Sequence, residues 1–419
     1  MNRKAVLLLF LLTFLIISII TGTLGAQETQ ETQETQETQE ETDSAGESDK
    51  SSLLQAYQRN FVRVNLSTKI QILQDAGENE EEQMGELYVQ ALDFYLDNIG
   101  QLQEDATANE LAKLAAQLIG ENGYREGISR LWHLFENSES TDIRVTVMHA
   151  FGNLLEPEDD VRREVESWLE RRNNNFREGK SVNEQVVGEA VNTLGKIGSP
   201  SSFPSLFTAS MIGYSRRITE NSLSALDSLE GDISGLVIDI IEEGYPDKKL
   251  RALEWAMERE DFTREELGKI ASSALDIGFK RLSSQEETKK IRELRYRAAI
   301  HLTRLEWSDA SSLAVQHFNQ TVTEVDTGTA DDQKLLEAVD LLGAMGSHEA
   351  AVRLSLYLEV VNSNVENGRK VNEQVVLAVI KNLGKLGDNV AFDHLLLVRY
   401  LDYPRRIKEA AREVLRDLR

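Results

Sequence analysis

The chain has no cysteine and only five prolines among 419 residues. Without cysteine there is no disulfide to brace the fold, no thiolate nucleophile, no thiolate-held metal and no lipoprotein-type anchor. So few prolines leave long helices uninterrupted. Positive charge is also scarce: 46 Lys and Arg face 71 Asp and Glu, a net charge of −25. A surface this acidic repels phosphate backbones and anionic lipid headgroups, which excludes nucleic acid as an expected partner. Strand-type alternation is missing as well. From Ser52 onward the apolar residues recur with helical spacing, so the expectation is an all-α chain.

What the sequence does contain is a duplication. Residues 182–229 return at 371–418 with a constant offset of 189, and 19 of the 48 paired positions are identical. VNEQVV at Val182–Val187 returns at Val371–Val376, LGKIG at Leu194–Gly198 as LGKLG at Leu383–Gly387, and YSRRI at Tyr214–Ile218 as YPRRI at Tyr403–Ile407. A fixed offset preserves side-chain spacing, which packed helices require. The apolar positions Val182, Val186, Val187, Ala190, Val191, Leu194 and Ile197 form one broad helical stripe, repeated at Val371, Val375, Val376, Val379, Ile380, Leu383 and Leu386. Ser181 followed by Glu184 has the form of a capping box, and Lys370 in place of Ser181 leaves that cap unshared. Gly198 and Gly387 are expected to end these helices with positive φ, and Gly195 and Gly384 to let neighbouring helices approach closely. Each copy is preceded by a polar stretch, Asn173–Lys180 or Asn362–Arg369, expected to be an insertion in the repeat.

A shallower echo upstream extends the pattern to blocks 53–230 and 231–419. Ahead of them, Asn2-Arg3-Lys4 leads into an apolar run, Ala5–Ile20, and then small residues to Ala26. Residues 1–26 therefore have the form of a secretory signal peptide, with an uncleaved membrane anchor as the competing reading. Either way the rest of the chain is expected to be exported to the periplasm or cell envelope, touching a membrane only through this segment if it is not cut. Residues 27–52 open with QETQETQETQETQEET and have no apolar face to bury, so they are expected to be a disordered acidic linker.

The order helix, LGKIG-Ser-Pro, short helix, then Arg-Arg-Ile heading a helix that ends in ALDSL resembles HEAT-type repeats, particularly the short subclass also seen in phycobilin-lyase-like proteins. The resemblance is good over 182–229 and 371–418, fair around 141–170 and 331–358, and poor elsewhere. It implies an α-solenoid of stacked antiparallel helix pairs and a role in protein binding, usually on a surface built by the inner helices. It does not imply lyase chemistry.

No catalytic or cofactor-binding residue is assigned. The histidines His133, His149, His301, His317, His348 and His394 include no i,i+4 pair, so no zinc site is expected, and each reads as a surface or half-buried helix residue. Gly179-Lys180-Ser181 mimics the end of a P-loop, but Asn174 stands where its first glycine belongs. Asp326–Glu337 has the length of a calcium loop but carries Gly328, Ala330 and Asp331 at its third, fifth and sixth positions. Carboxylates read as the solvated faces of helices.

The distinctive charges are those that recur. Arg216 with Arg217 and Arg405 with Arg406 are expected either to bridge neighbouring repeats as a ladder or to bind a partner's carboxylates. Asn183, Glu184 and Gln185 with Asn372, Glu373 and Gln374 pose the same choice between capping or bridging helices and contacting a partner. The functional expectation is an exported bacterial scaffold that binds a protein and catalyses nothing. Two alternatives stay open: an envelope spacer with no specific ligand, and a carboxylate-based hydrolase or lyase on a solenoid groove.

Overall fold

The computed structural model describes residues 52–79 and 84–418. The expectations for residues 1–51, signal and linker, lie outside the described residues, and Ser52 opens the first described helix, 52–63. Every regular element among the described residues is helical. None of these helices is long and apolar enough to cross a membrane.

The chain divides into two compact units, up to Leu154 and from Leu155 onward. These units of contact have a different border from the units of repetition, since both strong copies lie in the second. In the first unit, helix α1 (52–63) is followed by α2 (Leu66–Gly77), α3 (Gly85–Asp97), a four-residue turn of helix α4 (Ile99–Leu102), α5 (Ala106–Glu121), α6 (Ile128–Asn137) and α7 (Thr141–Leu154). Helix α5 packs between α3 and α7, and α6 closes the pairs from the other side.

The second unit continues with α8 (Asp160–Arg177), α9 (Glu184–Ile197), α10 (Phe203–Met211), α11 (Arg216–Asp227), α12 (Ser234–Glu243), α13 (Pro246–Met257) and α14 (Arg264–Ile277). It ends with α15 (Gln285–Leu305), α16 (Ser311–Asp326), α17 (Asp332–Ala344), α18 (His348–Glu366), α19 (Glu373–Leu386), α20 (Phe392–Val398) and α21 (Arg405–Asp417). Helices two apart in order lie side by side. Thus α15, α17, α19 and α21 form one layer, and α16, α18 and α20 the other. This is an α-solenoid of helix pairs, and one pair alone could not bury its apolar stripe.

The predicted stripe is the core of both copies: Val186, Val187, Ala190, Val191 and Leu194 are buried, as are Val375, Val376, Val379, Ile380 and Leu383. The glycines act as their positions require. Gly198 and Gly387 take φ of 70° and 66° at the helix ends. A Cβ on Gly195 would sit 2.6 Å from that of Ala225, and one on Gly384 would sit 2.7 Å from Val414 Cγ2.

Two expectations change. The capping box at Ser181 does not form; Asn183 is the N-cap, accepting from the amides of Gln185 and Val186 at 3.1 and 3.3 Å. Asn372 does the same for Gln374 and Val375 at 2.9 and 3.4 Å, so the cap is shared after all. The polar stretches are not insertions either. They are the last turns of α8 and α18, which stay helical through Arg177 and Glu366. The reason is that their first residue is buried and bonded: Asn173 Nδ2 donates to the Ser205 carbonyl at 2.9 Å, and Asn362 Nδ2 donates to the His394 carbonyl at 3.0 Å. The calcium-length span 326–337 runs from the end of α16 through a tight turn into the first turns of α17, and the amides of Thr329 and Ala330 close the turn by donating to the Glu324 carbonyl at 2.8 and 3.0 Å.

Candidate functional site

The second copy of the duplicated signature lines a groove of about 760 Å³ on the layer formed by α17, α19 and α21. Helix α19 buries one face in the core and turns the adjacent face to the groove. Gln374, Leu377, Ala378, Lys381 and Lys385 lie along it at three- and four-residue spacing. Leu336 and Asp340 come from α17, and Arg406 and Ile407 from α21. Apolar Leu336, Leu377 and Ile407 make the floor. Lys381, Lys385 and Arg406 place three positive charges around it against Asp340 and Glu373.

Polar side chains hold the layer in register. Asn382 Nδ2 donates to Asp340 Oδ1 at 2.8 Å, tying α19 to α17. Asn372 Nδ2 donates to Asp332 Oδ2 at 2.6 Å nearer the helix start. Lys385 reaches Glu306 Oε1 at 2.6 Å, and this ammonium holds the Glu306 carboxyl below its ordinary range.

The structure therefore brings Glu373, Gln374 and Arg406 together, with Asn372 holding the edge. The other recurring residues are placed differently. Arg216 pairs with Glu220 at 2.7 Å and Arg405 with Glu409 at 2.6 Å, each on its own helix, with both guanidinium side chains 91% exposed. These two arginines form no ladder between repeats, because i,i+4 partners lie nearer than the next helix pair. Arg217 is exposed, as is Gln185 beside the Asn183 cap. Cross-repeat bonds in these segments run through amides and carboxylates, Asn372 to Asp332, Asn382 to Asp340 and Asn221 to Asn192 at 2.8 Å, and through Lys385 to Glu306.

The two copies diverge at one pair of positions. Glu184 accepts the backbone N–H of Ser215 at 3.1 Å. The counterpart of Ser215 is Pro404, which has no N–H to offer, and Glu373 stands exposed at the groove. The lining itself also differs. Leu377 and Lys381 correspond to Gly188 and Asn192, so the first copy lacks the apolar and the cationic contribution.

Two further sets of polar residues escaped the sequence reading. Glu324 is buried between Arg295, at 2.5 Å, and the hydroxyl of Tyr296, also at 2.5 Å. Burial alone would raise its carboxyl pKa, but Tyr296 and Arg295 together hold it below its ordinary value. Burial and the Glu324 bond push Tyr296 up to about 12. His317 packs edge-on against Tyr296, fully buried, with neither ring nitrogen bonded. This corrects its reading as a surface or half-buried histidine. The second set, around Lys248, lines another groove described below. Among the described residues no group of three or more His, Asp or Glu is placed to hold a metal ion.

No family model matches this chain, and no curated protein matches it. Solved structures do match. A chain from work on a phosphorylation switch in the cadherin–beta-catenin interaction is 14% identical, over 87% of this chain and 77% of that one, with a TM-score of 0.34. A circular tandem repeat protein is also 14% identical, over 88% and 89%, with a TM-score of 0.22. Superpositions this loose decide nothing about ligands, and the assignment as an all-α helical-repeat protein rests on the chain's own stacked helix pairs.

Proposed function

We propose that this protein is an exported bacterial scaffold of HEAT type that binds a protein partner in the cell envelope and performs no catalysis. The observation that carries the reading is the groove on α17, α19 and α21: an open apolar floor with Lys381, Lys385 and Arg406 around it, on a chain of net charge −25. A cationic patch selects an acidic segment of its partner, while the chain's net negative charge opposes association with other copies. Leu336, Leu377 and Ile407 supply the burial that holds such a segment once it arrives. The basic and then apolar start of the sequence supports export.

The test is affinity capture from envelope extracts with the tagged full chain and with Lys381→Glu plus Lys385→Glu. The expected result is a saturable, salt-sensitive partner captured by the parent and by Arg216→Glu, and lost by the groove variant. Capture that survives the groove reversal, or no capture at any salt concentration, refutes the reading. The second outcome favours an envelope spacer.

A further inference from the structure

A different groove of the second unit, of about 640 Å³, is bounded by α8, α10, α12 and α13. Two of its side chains, Lys248 and Glu170, carry opposite charges that attract each other without a hydrogen bond or ion pair between them. Lys248 is only 9% exposed, yet its amine has no hydrogen-bond or ion-pair partner among the described residues. Glu170 lines the same groove, and its Oε2 is buried with no hydrogen bond. Lys248 and the Glu170 Oε2 each keep unused hydrogen-bonding capacity, and two such groups of opposite sign in one groove point to a ligand that bonds both. Burial lowers the Lys248 pKa; Glu170 opposes this and Arg177 reinforces it.

Groups of both signs line the groove. Lys248 lies in the first turn of α13, whose N-cap, Tyr245, provides no side-chain cap and whose first residue is Pro246. The amides opening that helix therefore have no side-chain acceptor and favour a negative group. Arg177 lies over the Tyr245 ring, 4.5 Å from its centroid, and adds a second positive charge. Asp239 and Glu243 sit one turn apart on α12 and add negative charge. Leu236 and Ile240 offer an apolar wall. A simple anion bonds Lys248 alone and a simple cation bonds Glu170 alone.

We propose that this groove binds a small zwitterion carrying one ammonium and one carboxylate, a free amino acid or a short peptide. The carboxylate goes to Lys248 and the open start of α13, the ammonium to Glu170, and the ligand's side chain to Leu236 and Ile240. The site is independent of the groove on α17, α19 and α21, so either proposal can fail alone.

Thermal shift of the full chain with each of the twenty free L-amino acids and with a set of di- and tripeptides at millimolar concentration identifies a binder, and calorimetry gives its affinity. The expected result is a saturable rise in melting temperature with at least one probe. Affinity should fall roughly tenfold or more when that probe is N-acetylated or amidated, and again in Lys248→Met and in Glu170→Gln. The amino-acid and peptide arms show which source supplies the ligand. No shift with any probe overturns the proposal, as do blocked probes that bind equally well. The analogue arm needs no variant, so a variant that fails to fold leaves the test intact.

Discussion

The duplication supplies an internal control for the worth of one buried hydrogen bond. Tyr403 donates to Asn362 Oδ1 at 2.9 Å. At the equivalent positions, the Tyr214 hydroxyl and Asn173 Oδ1 are both buried without a partner. All four residues are at most 5% exposed, and both asparagines keep their bond to a backbone carbonyl. Tyr403→Phe therefore strips a buried acceptor of its donor, which costs about 1–3 kcal/mol. Tyr214→Phe removes a hydroxyl that has nothing to lose and keeps the ring contact with Phe176 at 4.2 Å, so its effect should lie within about 0.5 kcal/mol of zero. At roughly 1–2 °C per kcal/mol for a chain of this size, the first change is visible in a melting curve and the second is not. Urea unfolding followed by circular dichroism measures both. Peptide-resolved hydrogen exchange then locates the loss, since repeat arrays can open piecemeal. Equal destabilisation by the two changes would refute the argument, because it would mean that Tyr214 is bonded as its counterpart is.

Three other outcomes follow from the structure. Asn183→Ala and Asn372→Ala should each cost about 1 kcal/mol as lost helix caps, and unchanged urea midpoints would argue against the caps. Gly198→Ala and Gly387→Ala should each cost about 1 kcal/mol because an L side chain is strained at those φ values, and unchanged unfolding would contradict the left-handed assignment. Acid should destabilise the fold through its buried histidines. Burial, with Arg304 and Arg297, lowers the His301 pKa to about 4, and burial, with Arg295 and Lys334, lowers that of His317 well below its ordinary value. Both stay neutral when folded while the unfolded chain takes up protons below about pH 6.5, so stability falls as pH drops from there toward 4, by at most about 1.4 kcal/mol per pH unit per residue. His301→Gln should flatten that slope, and an unaltered slope would exclude His301 as a cause.

Much of the fold was legible because it depends on spacing. The apolar stripes, the glycine stops at Gly198 and Gly387 and the close approaches at Gly195 and Gly384 follow from helical periodicity and glycine's missing Cβ. The cap at Asn183 was misread because Ser181 with Glu184 satisfies the same local rule, and only the chain's entry angle decides between them. Asn173 and Asn362 looked like loop residues because a polar side chain can be buried only where a carbonyl from another helix waits for it. The groove on α19 was half legible: repetition marked Glu373, Gln374 and Arg406, but Leu336 and Asp340 lie far away in sequence and carry no motif. The Lys248 groove was not legible at all, since Glu170, Lys248 and Leu236 are brought together only by stacking.

The replacement of Ser215 by Pro404 at matching positions shows how twin segments come to do separate jobs. In the earlier twin, Glu184 is spent on fastening one helix to the approach of another. In the later twin an imino ring cancels that duty, and Glu373 is left at the mouth of a basic cleft. One atom fewer on the backbone has turned an internal strut into an outward-facing contact, without any change to the carboxylate itself.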